Sequence, residues 1–205
     1  MTARPERRAA ARLALLALLL SLSLIACGSA PPRELQAEEV ARYPHDPDAF
    51  TQGLLWHDGA LYESTGLYGR SSLRRVRLAD GEVQAIRYLS DDVFGEGLAR
   101  VGDELVQLTW QAGAAYRWPV DGFERGEPPL ETHAYEGEGW GLCHDGTRLV
   151  MSDGSATLTF RDPATFAVLG TVTVTLDGEP VDRLNELECV EGDVWANVWY
   201  EDRIV

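Results

Sequence analysis

The sequence predicts an all-β fold made of repeated four-stranded units, the arrangement of a β-propeller. Three observations carry this reading. First, the stretches TQGLLWHDGALYESTG, GEGLARVGDELVQLTW, GWGLCHDGTRLVMSDG and NELECVEGDVWANVW align with one another. Gly53, Gly97 and Gly141 are 44 residues apart and Glu186 follows after 45. Leu61, Leu105, Leu149 and Val194 keep the same steps, as do Thr65, Thr109, Asp153 and Val198. Second, each unit alternates in the period of two that suits strands. Third, the part after the leader carries no helical period of comparable length.

Within a unit the elements come in a fixed order. A short apolar run (Gly53-Leu54-Leu55 in the first unit) predicts an opening strand. A turn pair follows: Asp58-Gly59, Gly102-Asp103, Asp145-Gly146 and Gly192-Asp193. Such pairs between alternating runs predict hairpins. The second strand begins at Ala60 in the first unit. Third strands fall at 74–78, 116–119 and 158–161, and fourth strands at 82–88 and 168–176. Four short strands in 40-odd residues indicate a propeller blade. A Leu-rich solenoid needs shorter units, and a sandwich does not repeat so evenly. The units occupy 45–205, and Asp202-Arg203-Ile204-Val205 reaches only the start of a third strand in the fourth. A propeller must close on itself. The expectation is therefore about four blades of a longer propeller, with residues 34–43 available as an outer strand for its last blade.

The start of the chain has a different character. Arg4, Arg7, Arg8 and Arg12 precede an apolar run at 13–25, too short for a membrane span. Residues 1–26 read as a secretory signal peptide. Leu24-Ile25-Ala26-Cys27 resembles a bacterial lipobox, which makes Cys27 a lipidation site and 27–44 a lipidated cysteine with its tether. The expected location is the bacterial cell envelope, as a periplasm-facing lipoprotein touching the membrane only through its anchor.

The formal net charge is −15, and residues 1–26 hold four Arg and one Glu, so the remainder without them has −18. Such acidity speaks against nucleic-acid binding and favours solubility. Cys143 and Cys189 remain besides Cys27. An oxidising compartment permits a disulfide between them, and two buried thiols are the competing reading. Their spacing suggests no metal site, and neither does that of His45, His57, His133 and His144. His57-Asp58-Gly59 and His144-Asp145-Gly146 read as turns, and no G-x-S-x-G elbow is present.

The units differ where function is to be sought. The first strand of each blade lines the central channel, so equivalent positions form rings. Leu54, Leu98, Leu142 and Leu187 form an apolar, structural ring. Two residues earlier stand Gln52, Glu96, Trp140 and Asn185, a mixture no fold requires. Two residues before that stand Phe50, Phe94, Glu138 and Arg183, and the ends of the second strands give Gly66, Trp110, Gly154 and Trp199. Converging on one mouth, these rings predict a mostly apolar pocket with a few polar groups, the usual form of a small-ligand site. Glu96, inside FGEGL, is the candidate acid/base, because apolar neighbours raise a carboxyl pKa by desolvation. The competing reading makes it a strand-end group paired with Arg183. Trp56, Trp118 and Trp195 are expected to pack blades.

Taken together, HDPDAFTQGL, LYESTGLYGRSSLR, FGEGL, QLTW, EGWGL, SDGS, LNELE and ANVWYEDRI resemble the plant-type glutaminyl-peptide cyclotransferases, which also occur in bacteria. The resemblance spans about 45–204. It implies a five-bladed β-propeller and an acyltransferase that turns the N-terminal glutamine of a peptide into pyroglutamate and releases ammonia. It implies no catalytic zinc and no cofactor. Motif by motif, it places a catalytic glutamate at Glu96 and an active-site asparagine at Asn185. Substrate-lining residues fall at Phe50, Gln52, Phe94, Trp110, Trp140 and Trp199. An assisting lysine of the family falls beyond Val205. The implied partners are peptides or proteins with N-terminal glutamine, and the implied state is a monomer. A non-catalytic envelope propeller that binds peptides or protein partners is the alternative, because fold does not fix function.

Overall fold

The computed structural model describes residues 32–205, so the signal-peptide reading of 1–26 and the lipidation of Cys27 lie outside the described residues. Residues 36–205 form one compact unit. Its first sheet is β1 (Thr51–His57), β2 (Ala60–Thr65), β3 (Ser72–Val76) and β4 (Val83–Tyr88). Its second is β5 (Gly95–Val101), β6 (Glu104–Thr109), β7 (Ala114–Pro119) and β8 (Glu131–Ala134). The third is β9 (Leu142–His144), β10 (Leu149–Met151), β11 (Thr157–Arg161) and β12 (Val168–Thr173). Strands are antiparallel and paired in sequence order in all three, as the 44-residue period predicts.

The fourth unit contains β15 (Leu184–Val190) and β16 (Asp193–Val198), with an Asn197–Ile204 bridge at the position of a third strand. Before it, β13 (Thr175–Leu176) and β14 (Glu179–Pro180) form a small hairpin, so the run expected as one strand over 168–176 breaks in two. A short helix, α1 (Val120–Arg125), is inserted after β7, and Gly126 ends it in the left-handed conformation. Residues 34–43 carry no strand and are exposed.

The innermost strands follow one another around a common axis: β1 beside β5, β5 beside β9, β9 beside β15. Apolar clusters fill the wedge between each successive pair of sheets. Leu73, Leu98, Leu105 and Phe123 belong to the first wedge, Val106, Leu108, Leu142 and Leu149 to the second, and Val150, Leu184, Leu187 and Val198 to the third. Close approach at the axis explains the recurring glycine. The Gly97 N–H donates to Trp140 O at 2.7 Å, and a Cβ on Gly97 would lie 2.5 Å from Leu142 N. No larger residue fits there without parting the two sheets.

Two sequence expectations change. Leu98, Leu142 and Leu187 are buried, but Leu54 is 37% exposed, because β1 has no inner strand on its other flank among the described residues. Trp118 packs in the first wedge as expected, whereas Trp56 and Trp195 are 56% and 39% exposed. Like Leu54, both stand on faces of the first and fourth units that no further sheet covers among the described residues. Cys143 and Cys189 form a disulfide that ties β9 to β15, which decides between the two readings of this pair. The Asp58-Gly59 turn has positive φ at both residues (45° and 78°), the twist a two-residue hairpin needs. In the fourth unit that role falls to Glu191-Gly192 rather than Gly192-Asp193.

Candidate active site

The site is built from a repeated irregularity. The pairing register of β1 with β2 shifts between Thr51 and Gly53, that of β5 with β6 between Gly95 and Leu98, and that of β15 with β16 between Leu184 and Leu187. These bulges fall on Gln52, Glu96 and Asn185. In the third unit β9 begins only at Leu142, just past Trp140. A bulge inserts an unpaired residue and re-aims its side group. Here the fold uses it at the same ring position, one blade after another, where the first strands meet the axis. The freed backbone groups bond to the next blade or to nearby hydroxyls. Ser152 Oγ accepts the Gly141 N–H at 2.7 Å and donates to Asn185 O at 2.6 Å.

Glu96 is the chemical centre of this ring. It is 5% exposed, and its Oε1 accepts a hydrogen bond from Gln52 Nε2 at 3.1 Å. Burial pushes its pKa up to about 9; the Gln52 bond opposes that shift, and the charge of Glu138 adds to it. Glu96 is therefore a neutral carboxylic acid at neutral pH, able to donate from one oxygen and accept on the other. Its competing role as the partner of Arg183 is not seen, since Arg183 pairs with Glu201. The Asn185 amide group makes no hydrogen bond to another described residue, while its backbone carbonyl is held by Ser152.

Aromatic residues form the wall. Phe94 meets Phe50, Tyr68 and Trp110 edge-on, at centroid distances of 6.1, 5.6 and 5.7 Å. Trp140 meets Trp199 at 5.2 Å, and Trp199 lies against Tyr200 at 4.2 Å. The alternation of Gly66, Trp110, Gly154 and Trp199 now has a cause. A Cβ on Gly66 would enter the Phe94 ring, and one on Gly154 would lie 2.6 Å from Trp140 Cζ2. Each glycine makes room for an aromatic ring of the following or same unit, and each tryptophan packs against that ring edge-on.

Two acidic residues escaped the sequence reading of the site. Glu138 was placed in a ring without a role. Its Oε2 accepts from Trp110 Nε1 at 2.8 Å and Trp140 Nε1 at 2.9 Å, and its Oε1 accepts from Gln111 Nε2 at 2.9 Å. Burial pushes its pKa up, but the bonds from Gln111, Trp140 and Trp110 outweigh this and hold it below the usual value. Glu138 is thus an ionised carboxylate at the mouth. Glu186 stands where the other units have glycine. Its residue surface is partly exposed, yet both carboxylate oxygens are buried without a hydrogen bond of good geometry, the backbone N–H groups of Leu187 and Leu54 being the nearest donors. Desolvation, then the charges of Glu188 and Glu96, raise its pKa well above normal, against backbone N–H groups of Leu187 and Leu54. The break of the glycine pattern at 186 was its only signal in the sequence.

The described residues hold no group of three His, Cys, Asp or Glu placed to bind a metal ion. A cavity of about 330 Å³ lies between the β13–β14 hairpin and the fourth unit, lined by residues that include Arg183, Glu201 and Arg203; Arg183 O accepts the Trp199 N–H at 2.9 Å, so the cavity adjoins the aromatic wall. A smaller one of about 150 Å³, touched by Trp56, Arg100, His144 and Glu188, sits at the far ends of the inner strands.

A propeller whose bulged inner strands bury a carboxyl of raised pKa beside a wall of aromatic rings defines the class of this site. The comparisons narrow it. The glutamine cyclotransferase family model matches residues 12–205, and the chain belongs to that family. A glutaminyl-peptide cyclotransferase of Arabidopsis thaliana is 43% identical over 170 residues, which cover 82% of this chain and 52% of the relative. The chain thus spans about half the length of that curated relative. The crystal structure of Myxococcus xanthus glutaminyl cyclase is 41% identical, with a TM-score of 0.73 over 81% of this chain and 69% of that one. The WD40 domain of Neurospora crassa Pan2, at 13% identity and a TM-score of 0.53 over 71% of this chain and 41% of its own, shares the propeller architecture alone.

Proposed function

We propose that the protein is a glutaminyl-peptide cyclotransferase, an acyltransferase that converts the N-terminal glutamine of a peptide to pyroglutamate and releases ammonia. The observation that carries this is Glu96: a buried carboxyl, kept protonated near neutral pH and held by Gln52 beside an aromatic wall. The family named above supports the same reaction.

The chemistry runs within one substrate residue. The neutral α-amine attacks the carbon of the glutamine's own carboxamide, forming a C–N bond and a tetrahedral intermediate. The bond from that carbon to the original carboxamide nitrogen then breaks, and the nitrogen leaves as ammonia. Because nucleophile and electrophile are tethered, the site must fold the glutamine into a near-attack shape. The α-amine has an ordinary pKa of about 8, so a useful fraction is neutral at pH 7–8. Glu96 gives its proton to the departing nitrogen and receives the proton lost by the attacking amine, which leaves it neutral at the end. Asn185 donates an N–H of its carboxamide to the developing oxyanion. Phe50, Phe94, Trp110, Trp140 and Trp199 exclude water and hold the substrate glutamine, and Gln52 orients Glu96.

The test is ammonia release from a Gln-initiated dipeptide by the purified full-length protein, with and without a chelator. Release in both conditions is expected. Folded protein that releases none sinks the enzyme reading, and loss on chelation alone sinks the metal-free reading.

Three further expectations belong with this function. The propeller closes with five blades, acts as a monomer on peptides or proteins with N-terminal glutamine, and works outside the cytoplasm as a periplasm-facing lipoprotein anchored through Cys27 after removal of residues 1–26. The motif Leu24-Ile25-Ala26-Cys27 supports the last.

A further inference from the structure

The aromatic wall is two groups of rings, not one. Tyr68, Phe50, Phe94 and Trp110 are joined by edge contacts on the first two units, and Trp140, Trp199 and Tyr200 on the third and fourth. Among the described residues no ring pair links the groups. The link is Glu138 Oε2, which takes both indole N–H groups, from Trp110 at 2.8 Å and Trp140 at 2.9 Å. Gln111 Nε2 secures the other oxygen at 2.9 Å. We propose that Glu138 is a positioning residue for the cyclisation, its single carboxylate oxygen clamping the Trp110 and Trp140 indoles into one continuous wall for the substrate glutamine.

This rests on the function proposed above but goes beyond it, because Glu138 makes no hydrogen bond to Glu96 or to Asn185 and acts through the two indoles. A tryptophan ring is free to turn about two torsions, and an acceptor for the N–H on its edge fixes it. Charge-assisted bonds are about twice as strong as neutral ones, so an ionised acceptor suits a clamp. The loop that carries Glu138 does not depend on its carboxylate. Gly139 N–H donates to Trp110 O at 3.0 Å, and Trp140 N–H to Ser152 O at 3.1 Å. Removing the carboxylate therefore frees the indoles while the backbone stays in place. The negative charge of Glu138 also bears on the proton of Glu96. The other titratable groups that feel Glu96 are Glu186 and Tyr135, both raised by burial.

The experiment compares Glu138→Ala and Glu138→Gln in the full-length protein. Glutamine keeps an acceptor oxygen for both indoles and loses the charge; its NH2 then faces Gln111, whose own amide turns to present Oε1. With a Gln-initiated dipeptide, Glu138→Ala is expected to raise KM about 10-fold with a smaller change in kcat, the result of losing bonds that shape the bound state. Glu138→Gln restores KM to within about 3-fold of wild type, since its bonds to the indoles are neutral but intact. The alkaline limb of its pH profile moves to lower pH, because Glu96 ionises more easily without a neighbouring anion. Tryptophan emission gives a readout that needs no turnover: a red shift in Glu138→Ala, absent in Glu138→Gln, and no added shift when Glu138→Ala is made on Trp110→Phe/Trp140→Phe. Wild-type KM and emission in Glu138→Ala overturn the clamp. So does a Glu138→Gln variant as impaired in KM and emission as Glu138→Ala. If the wild-type protein releases no ammonia, the function proposed above fails, and the emission series alone then decides the clamp.

Discussion

Glu96 shows how a residue takes its chemistry from its surroundings. An ordinary glutamic acid has a pKa near 4.3, and burial carries this one to about 9. Between these values the folded protein holds a proton that the unfolded polypeptide has lost. Stability contributed at this residue is therefore full below about pH 4 and declines as pH rises toward 9. Glu96→Gln removes that slope, since an amide does not titrate. Thermal melts at pH 5, 7 and 9 are expected to show the variant gaining on wild type as pH rises; parallel curves would contradict the raised pKa. In the reaction the same change is expected to lower single-turnover rate by roughly 10²–10⁴-fold, with peptide binding little altered, as for loss of an acid/base group. A folded Glu96→Gln variant with wild-type rate would remove Glu96 from the mechanism. Glu186 obeys the same logic with less to show for it: a buried carboxyl with only weak backbone donors that costs stability most at alkaline pH.

At the scale of elements, blades are held at the axis by close backbone contact and at their flanks by apolar wedges. Gly154 imposes a further constraint, the room that an aromatic ring needs. Its φ is 80°, and a methyl there lies 2.6 Å from the Trp140 ring. Gly154→Ala is expected to cost about 1–3 kcal/mol through backbone strain and overpacking, and to raise KM by displacing Trp140. Gly170→Ala is the control, because a methyl there meets nothing within 4 Å. Equal melting temperatures for the two variants would show that Trp140 yields freely. The Cys143–Cys189 disulfide closes a loop of 46 residues between the third and fourth units. Loop-closure entropy gives it about 4 kcal/mol, so a Cys143→Ser/Cys189→Ser variant should melt well below wild type, and an unchanged melt would show that the wedge at Val150 and Leu184 suffices alone.

At the scale of the whole molecule, acidity and address act together. A net charge of −18 without the first 26 residues disfavours direct contact with anionic surfaces, so the proposed membrane contact is through a lipid on Cys27. Mass spectrometry of the mature N-terminus is expected to find Cys27 as the first residue, bearing acyl groups; an unacylated terminus at another residue would contradict the lipoprotein reading.

Period, turn chemistry and ring position were all legible in the residues, because each is a local matter. Alternation marks a strand, Asp-Gly marks a hairpin, and a 44-residue repeat stacks like positions on one axis whatever the details. That was enough to bring Gln52, Glu96, Trp140 and Asn185 to one ring and to name the family resemblance. The register shifts at Gln52, Glu96 and Asn185 were not legible, since a bulge depends on which residue of the neighbouring strand wins each hydrogen bond. Nor was the exposure of Trp56 and Trp195, which depends on what packs beside a strand rather than on the strand itself. The pairing of Cys143 with Cys189 and the binding of two indoles by Glu138 join residues from different units. Sequence by itself determined the repeat, the ring and the residue types gathered in it. Only the tertiary structure decided which of those groups touch, because contact across blades is set by angles and distances that no single blade encodes.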